Sequence, residues 1–173
     1  MINETMAQKW VRSLGDSNRI IRNVGTGLIV LKKIPENILD GKSFRVNHHI
    51  LLVVFKGTVK GKADSVDVEI GEQCISLFST GKLIRFEGAS SDFEGYVVMI
   101  SPEFIEDMEI SLVRAVPMRI LTQLRHTPMC PLEKADVASV RAYMELLFGI
   151  LGNIRNPSRR TSAVNLVKSF IYE

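Results

Sequence analysis

Gly71-Glu72-Gln73-Cys74-Ile75-Ser76-Leu77-Phe78 and, after a short interval, Asp92-Phe93-Glu94-Gly95-Tyr96-Val97-Val98-Met99-Ile100-Ser101-Pro102-Glu103-Phe104 form the stretch that decides the fold. Each half leaves a turn-forming opening and runs into β-prone apolar residues. The second half then meets Ser101, which can cap a helix, and Pro102, which suits a first helical position because it has no N–H to leave unpaired. Strands running directly into helices read as the end of a small β-barrel with a helical segment behind it. A barrel can hold a small molecule while helices join subunits, which is a sensor's division of labour and not a catalyst's.

Upstream of Ser101 the signals are those of strands: Gly27 to Lys32, Phe44 to Lys56, Asp67 to Ile70, Cys74 to Phe78, Leu83 to Glu87 and Gly95 to Ile100. Pro35-Glu36-Asn37 with Asp40-Gly41, Lys56-Gly57, Lys60-Gly61, Thr80-Gly81 and Glu87-Gly88 punctuate them as turns. No helical stretch intervenes, which argues for an antiparallel barrel or sandwich and against a βαβ sheet. Before it, Met6, Trp10 and Leu14 recur every four residues between a possible Asn3 cap and Gly15, predicting a short N-terminal helix or arm. Residues 1–19, 20–101 and 102–173 are thus expected as arm, β-barrel and helical segment.

In the helical segment Val137, Val140, Met144, Leu147 and Leu151 follow one another at spacings of three, four, three and four. That is a heptad seam and a candidate dimer interface, although a helix packed on the barrel would show the same stripe. Asn156-Pro157 opens a last helix, with Val164, Val167, Phe170 and Ile171 on its apolar face. The helix is still amphipathic at Glu173 with no glycine stop, so the polypeptide is expected to continue into something else.

A chain of 173 residues can bury roughly 70% of its unfolded surface and needs no staples. Its two cysteines, Cys74 and Cys130, are far apart and lack a Cys-x-x-Cys spacing, so a cytoplasmic location is expected. The longest apolar run, Ile50 to Phe55, is far short of the roughly 20 residues of a membrane span, and the opening residues carry no signal-peptide pattern. A net charge of +3 with short clusters only at Lys32-Lys33 and Arg159-Arg160 gives no basic stripe for nucleic acid.

Catalytic signatures are weak, and no enzyme is expected. Tested for the metal motif of cupins, the chain keeps His49 but places Asn47, Val54, Lys82 and Phe86 where ligands or their supports should fall. An open catalytic metal site needs at least three converging protein ligands, so neither metal nor other cofactor is expected. Gly-x-Ser-x-Gly and phosphate-cradling loops are absent, and His126 has no evident acid partner. Cys130 reads as packed and not reactive. If Asn47 and His49 point into the barrel, strand alternation sends Arg45, Leu51, Val53 and Phe55 the same way. That phase makes Arg45, Asn47 and His49 the candidate effector-binding residues of an otherwise apolar pocket.

The blocks Leu51-Leu52-Val53-Val54-Phe55-Lys56-Gly57, Ile70 to Phe78, Asp92-Phe93-Glu94-Gly95-Tyr96, Ser101-Pro102-Glu103-Phe104 and Leu166-Val167-Lys168-Ser169-Phe170-Ile171-Tyr172-Glu173 together resemble the N-terminal regulatory domain of AraC-type transcription regulators, especially those of Bacteroidetes. The resemblance runs from about Ser43 to Glu173. It implies a mainly β fold with added α: a cupin-like double-stranded β-helix, or jelly-roll, barrel that senses a small-molecule effector, followed by a helical segment that forms a homodimer. It also implies a helix-turn-helix module beyond this chain that binds promoter DNA, and an N-terminal arm, here up to Asn18, as a lid. The competing readings are a metal-dependent cupin enzyme and a cyclic-nucleotide-type sensor. The latter requires an arginine-bearing helix inside the barrel, which this sequence lacks.

Overall fold

The computed structural model describes residues 20–34, 41–108 and 129–172. The expected arm with Trp10, the turn at Pro35-Glu36-Asn37 with Asp40, and the loop holding His126 lie outside the described residues.

Among the described residues ten strands form two antiparallel sheets. Strands β1 (Ile21–Val24), β2 (Leu28–Leu31), β3 (Phe44–Arg45), β4 (His49–Lys56), β5 (Val59–Ala63), β6 (Val66–Ile70), β7 (Cys74–Phe78), β8 (Leu83–Ala89) and β9 (Glu94–Ile100) are followed by helix α1 (Pro102–Asp107), strand β10 (Cys130–Pro131), and helices α2 (Lys134–Gly152) and α3 (Arg159–Tyr172). The larger sheet has the order β1-β2-β9-β4-β7-β10 and the smaller β3-β8-β5-β6. One core lies between the sheets, with Ile29, Leu31, Ile50, Leu52, Val54, Val97 and Met99 meeting Val59, Ile70, Ile84 and Phe86. A second core lies on the other face of the larger sheet, where Leu28, Val30, Val53, Phe55, Tyr96 and Val98 meet Val140, Met144, Leu147, Phe148 and Leu151 of α2 and Val167 of α3. The layers are therefore small sheet, large sheet and helices, so β4 is covered on both faces.

Several boundaries differ from the sequence reading. Phe44 to Lys56 is not one strand: β3 pairs with β8 in the small sheet, and the chain crosses at Val46-Asn47-His48 to begin β4 in the large one. Lys60-Gly61 is not a turn but the middle of β5. The turn falls at Asp64 and Ser65, whose φ of 48° and 69° match the two-residue hairpin that joins β5 to β6. Gly61 serves close approach instead, since a Cβ there would collide with the Arg85 carbonyl oxygen of β8. Gly88 likewise lies within β8, and Cys130-Pro131 returns to the large sheet beside β7 where only helices were expected.

Where β9 hands over to helix, Ser101 Oγ accepts the Phe104 N–H at 3.1 Å and Pro102 occupies the first turn, as the sequence indicated. At the far end of α2, two arginines reach its last carbonyls. Arg22 Nη1 donates to Phe148 O at 2.7 Å and Arg159 Nη1 to Leu151 O at 3.2 Å, placing cations at the negative end of the helix dipole.

The seam on α2 is turned inward. Val140, Met144, Leu147 and Leu151 are all under 9% exposed, and partly buried Val137 packs on the same cluster. In this structure they cover the outer face of the large sheet, whose own apolar residues would otherwise face water, which is the second of the two roles open to such a stripe.

Candidate functional site

The candidate effector residues lie where the chain passes from β3 to β4. Phe44, Val46, Ile50, Leu52 and Val54 face the core between the sheets. Alternation then sends Arg45, Asn47, His49, Leu51, Val53 and Phe55 the other way, and Leu51, Val53 and Phe55 indeed pack in the helical layer. The inward phase expected for Arg45, Asn47 and His49 is therefore reversed. Arg45 is exposed and donates from Nη1 to Gly81 O at 2.8 Å. Asn47 is exposed too, while His49 is half-buried.

The inward histidine is His48, only 5% exposed. Its Nε2 lies 2.7 Å from Thr26 O in the β1–β2 turn, and its Nδ1 lies 3.0 Å from Asn47 Oδ1. The ring ties the crossover to that turn. His49 behaves differently: its Nδ1 is buried without a hydrogen-bond partner, and burial, with His48 beside it, holds its pKa below the ordinary value. These two histidines on opposite faces cannot share one ion. Among the described residues no group of three His, Cys, Asp or Glu side chains converges as metal ligands would.

Among the described residues the inward side chains of the two sheets pack against one another. A cleft of about 10 Å³ near Val59, Ile70, Phe78 and Phe86 has room for about one water. A second cleft, of about 120 Å³, lies on the outside of the small sheet between Ser43, Lys62, Ser65, Leu83 and Arg85. Sites for drug-sized molecules measure about 300 Å³ or more.

The cysteines are both free. Burial, and then proximity to Cys130, pushes the Cys74 thiol pKa up. Cys130 pairs in register with Ile75, so alternation puts the two thiols on opposite faces of the sheet. Lys32 and Arg160 of the basic clusters, with Arg22 and Arg141, make contacts within the fold. Lys32 Nζ sits 4.6 Å from the Phe148 ring centre, Arg22 sits 4.1 Å above the same ring, and Arg141 lies 4.2 Å from that of Phe55. Arg160 pairs with Asp107 at 2.7 Å. Sequence reasoning missed this cation–aromatic row because its members come from β1, β4, α2 and the residue after β2, with no local spacing to reveal it.

No known family profile matches the chain, and no curated protein matches it. Solved structures similar to it include the AraC-like transcriptional activator CuxR, at 14% identity over 85% of this chain and 49% of that one, with a TM-score of 0.40. They also include an apo form of ToxT from Vibrio cholerae, at 9% identity over 86% and 55% of the two chains with a TM-score of 0.46. Unsaturated fatty acid bound ToxT from the same organism gives 14% identity, 84% and 50% coverage, and a TM-score of 0.39. The chain spans about half the length of these structures. Among the described residues no helix is long and apolar enough to cross a membrane.

Proposed function

We propose that this chain is the effector-sensing domain of an AraC-type transcription regulator, built on a cupin-like double-stranded β-helix, with its promoter-binding module outside this sequence. The observation that carries this reading is where the motif blocks of the resemblance come together. Leu51 to Gly57, Ile70 to Phe78 and Asp92 to Tyr96 supply β4, β7 and the start of β9, which are neighbours in one sheet. Ser101 to Phe104 caps α1, and Leu166, Val167 and Phe170 of the closing block pack with Phe104 in the same helical core. Five blocks scattered over more than a hundred positions thus form one contiguous unit, as a shared fold requires.

The effector is proposed to act at the rim of the sandwich and not in its packed interior. There Arg45 and Asn47 are exposed and His49 is half-buried. An effector shifts the regulator only by binding one arrangement of this rim, the arm or the dimer more tightly than another. The homodimer is proposed to use the side of α2 left uncovered, where Ala138, Ala142, Leu146 and Gly149 are exposed at spacings of four, four and three.

The deciding experiment starts from the longer protein. Paired helix-turn-helix units following Glu173, and binding of that protein to its own promoter, are the expected result; a different following domain sinks the proposal. A thermal-shift screen of small metabolites against this chain should yield a stabilising compound, since a ligand at a hundred times its Kd adds about 2.7 kcal/mol. Asn47→Ala with His49→Ala should abolish that shift. Sedimentation at tens of micromolar should give a dimer that Leu146→Glu dissociates.

A further inference from the structure

The outer face of the small sheet carries charge in cross-strand pairs. Lys60 lies opposite Glu69 and Lys62 opposite Asp67 on β5 and β6, with Nζ–carboxylate distances of 3.6 and 2.9 Å. On its other side Lys62 lies directly opposite Arg85 of β8. Two like charges in facing positions repel, and each turns away: Lys62 to Asp67, Arg85 to Glu87 along its own strand. Between them opens the cleft of about 120 Å³ bounded by Ser43, Lys62, Ser65, Leu83 and Arg85.

The lining is selective in its chemistry. It holds an ammonium, a guanidinium and two hydroxyls, with one leucine and no carboxylate. Arg85 Nε is buried and has no hydrogen-bond partner, which is costly for a charged donor. Asp67 and Glu87 pair with Lys62 and Arg85 from outside the lining, and Asp64 of the β5–β6 turn is held elsewhere. It accepts from Leu83 N at 2.9 Å and pairs with Lys82 at 2.8 Å, while the positive φ at Ser65 shapes the turn that brings its hydroxyl to the cleft.

We infer that this cleft binds a tetrahedral oxyanion, a phosphate or the phosphate group of a small monoester. Arg85 offers its guanidinium and Lys62 its ammonium, each exchanging a carboxylate partner for the anion, and Ser43 and Ser65 offer their hydroxyls. The space exceeds that of one water and falls short of a nucleotide, so only the anionic group enters and the remainder of a monoester stays outside.

Amide NMR of the chain, titrated with inorganic phosphate at constant ionic strength, tests the site. Saturable shifts at Ser43, Lys62, Ser65 and Arg85 are expected, and Arg85→Gln should weaken binding about tenfold or more. Lys60→Gln, on the same face but outside the cleft, should bind as the parent does. Glycerol phosphate binding as tightly as phosphate points to a monoester as the natural source, and inorganic phosphate alone binding points to the free ion. Should Arg85→Gln lose its dispersed spectrum, Ser65→Ala and Lys62→Gln carry the test, each expected to weaken binding several-fold. Shifts that never saturate, acetate binding as well as phosphate, or equal weakening by Lys60→Gln overturns the inference.

Discussion

The two sheets share one core but differ in what covers their outer faces. The large sheet is sandwiched, so β4 reads Ile50 to Phe55 without a polar residue, and five of those six side chains are buried. The small sheet has water on one side, so β5 and β6 alternate: Val59, Val68 and Ile70 inward, Lys60, Lys62, Asp67 and Glu69 outward. A strand's pattern therefore reports how many layers it touches before it reports which way it faces.

The largest expected effects test the two cores. Leu52→Ala removes a fully buried side chain between the sheets and should cost about 2–5 kcal/mol of unfolding free energy in a urea titration. Met144→Glu places a carboxylate in the helical layer at a site 2% exposed, and should prevent stable folding. Ile154→Glu, just beyond the end of α2 at 70% exposure, should leave unfolding unchanged within about 0.5 kcal/mol. If Met144→Glu instead folds and only dissociates a dimer, the helical layer does not bury the large sheet as described.

A smaller effect is expected at the joint between sheet and helices. Ser101→Ala removes the acceptor for Phe104 N–H at the start of α1, and should cost about 1 kcal/mol by the same measurement. Ser101→Asp, which can accept the same bond, should restore most of that loss. Without such rescue, the joint is held by the Ser101 N–H to Gly27 O bond of 2.8 Å and by packing, and the cap is incidental.

The contrast also explains what the sequence could reveal. Gly95 to Ile100 ending at Ser101-Pro102 announces a strand, a cap and a helix because each signal is local, and the structure places all three there. The phase of β4 is not local. With Ile50 to Phe55 apolar throughout, nothing in the run says whether odd or even residues face the other sheet, and Arg45, Asn47 and His49 inherit that ambiguity. Gly61 misleads for a related reason: a glycine needed because β8 comes close reads the same as one needed for a turn. The α2 seam shows its period but not its partner, since a sheet and a second helix both select an apolar stripe. The cleft at Lys62 and Arg85 depends on register between strands over twenty positions apart, and no spacing rule reaches that far.

The smallest effect separates the sheets by pH. His49, half-buried on the large sheet, has its pKa held below the ordinary 6.5 by burial and by His48. The unfolded chain then binds the proton more readily, so this stabilisation is complete above 6.5 and is lost as pH falls toward the folded value. Asp64, exposed on the small sheet, has its pKa held below 3.8, first by the hydrogen bond from Lys82 and then by that from Leu83 N–H. Its contribution is present above 3.8 and disappears only as pH falls through the lower folded value. Thermal midpoints measured against pH should accordingly decline in two separate windows, with His49→Gln flattening the upper and Asp64→Asn the lower. Both substitutions flattening the same window would mean that the two faces are electrostatically one surface, and the distinction between a sandwiched sheet and a wetted one would not extend to their charges.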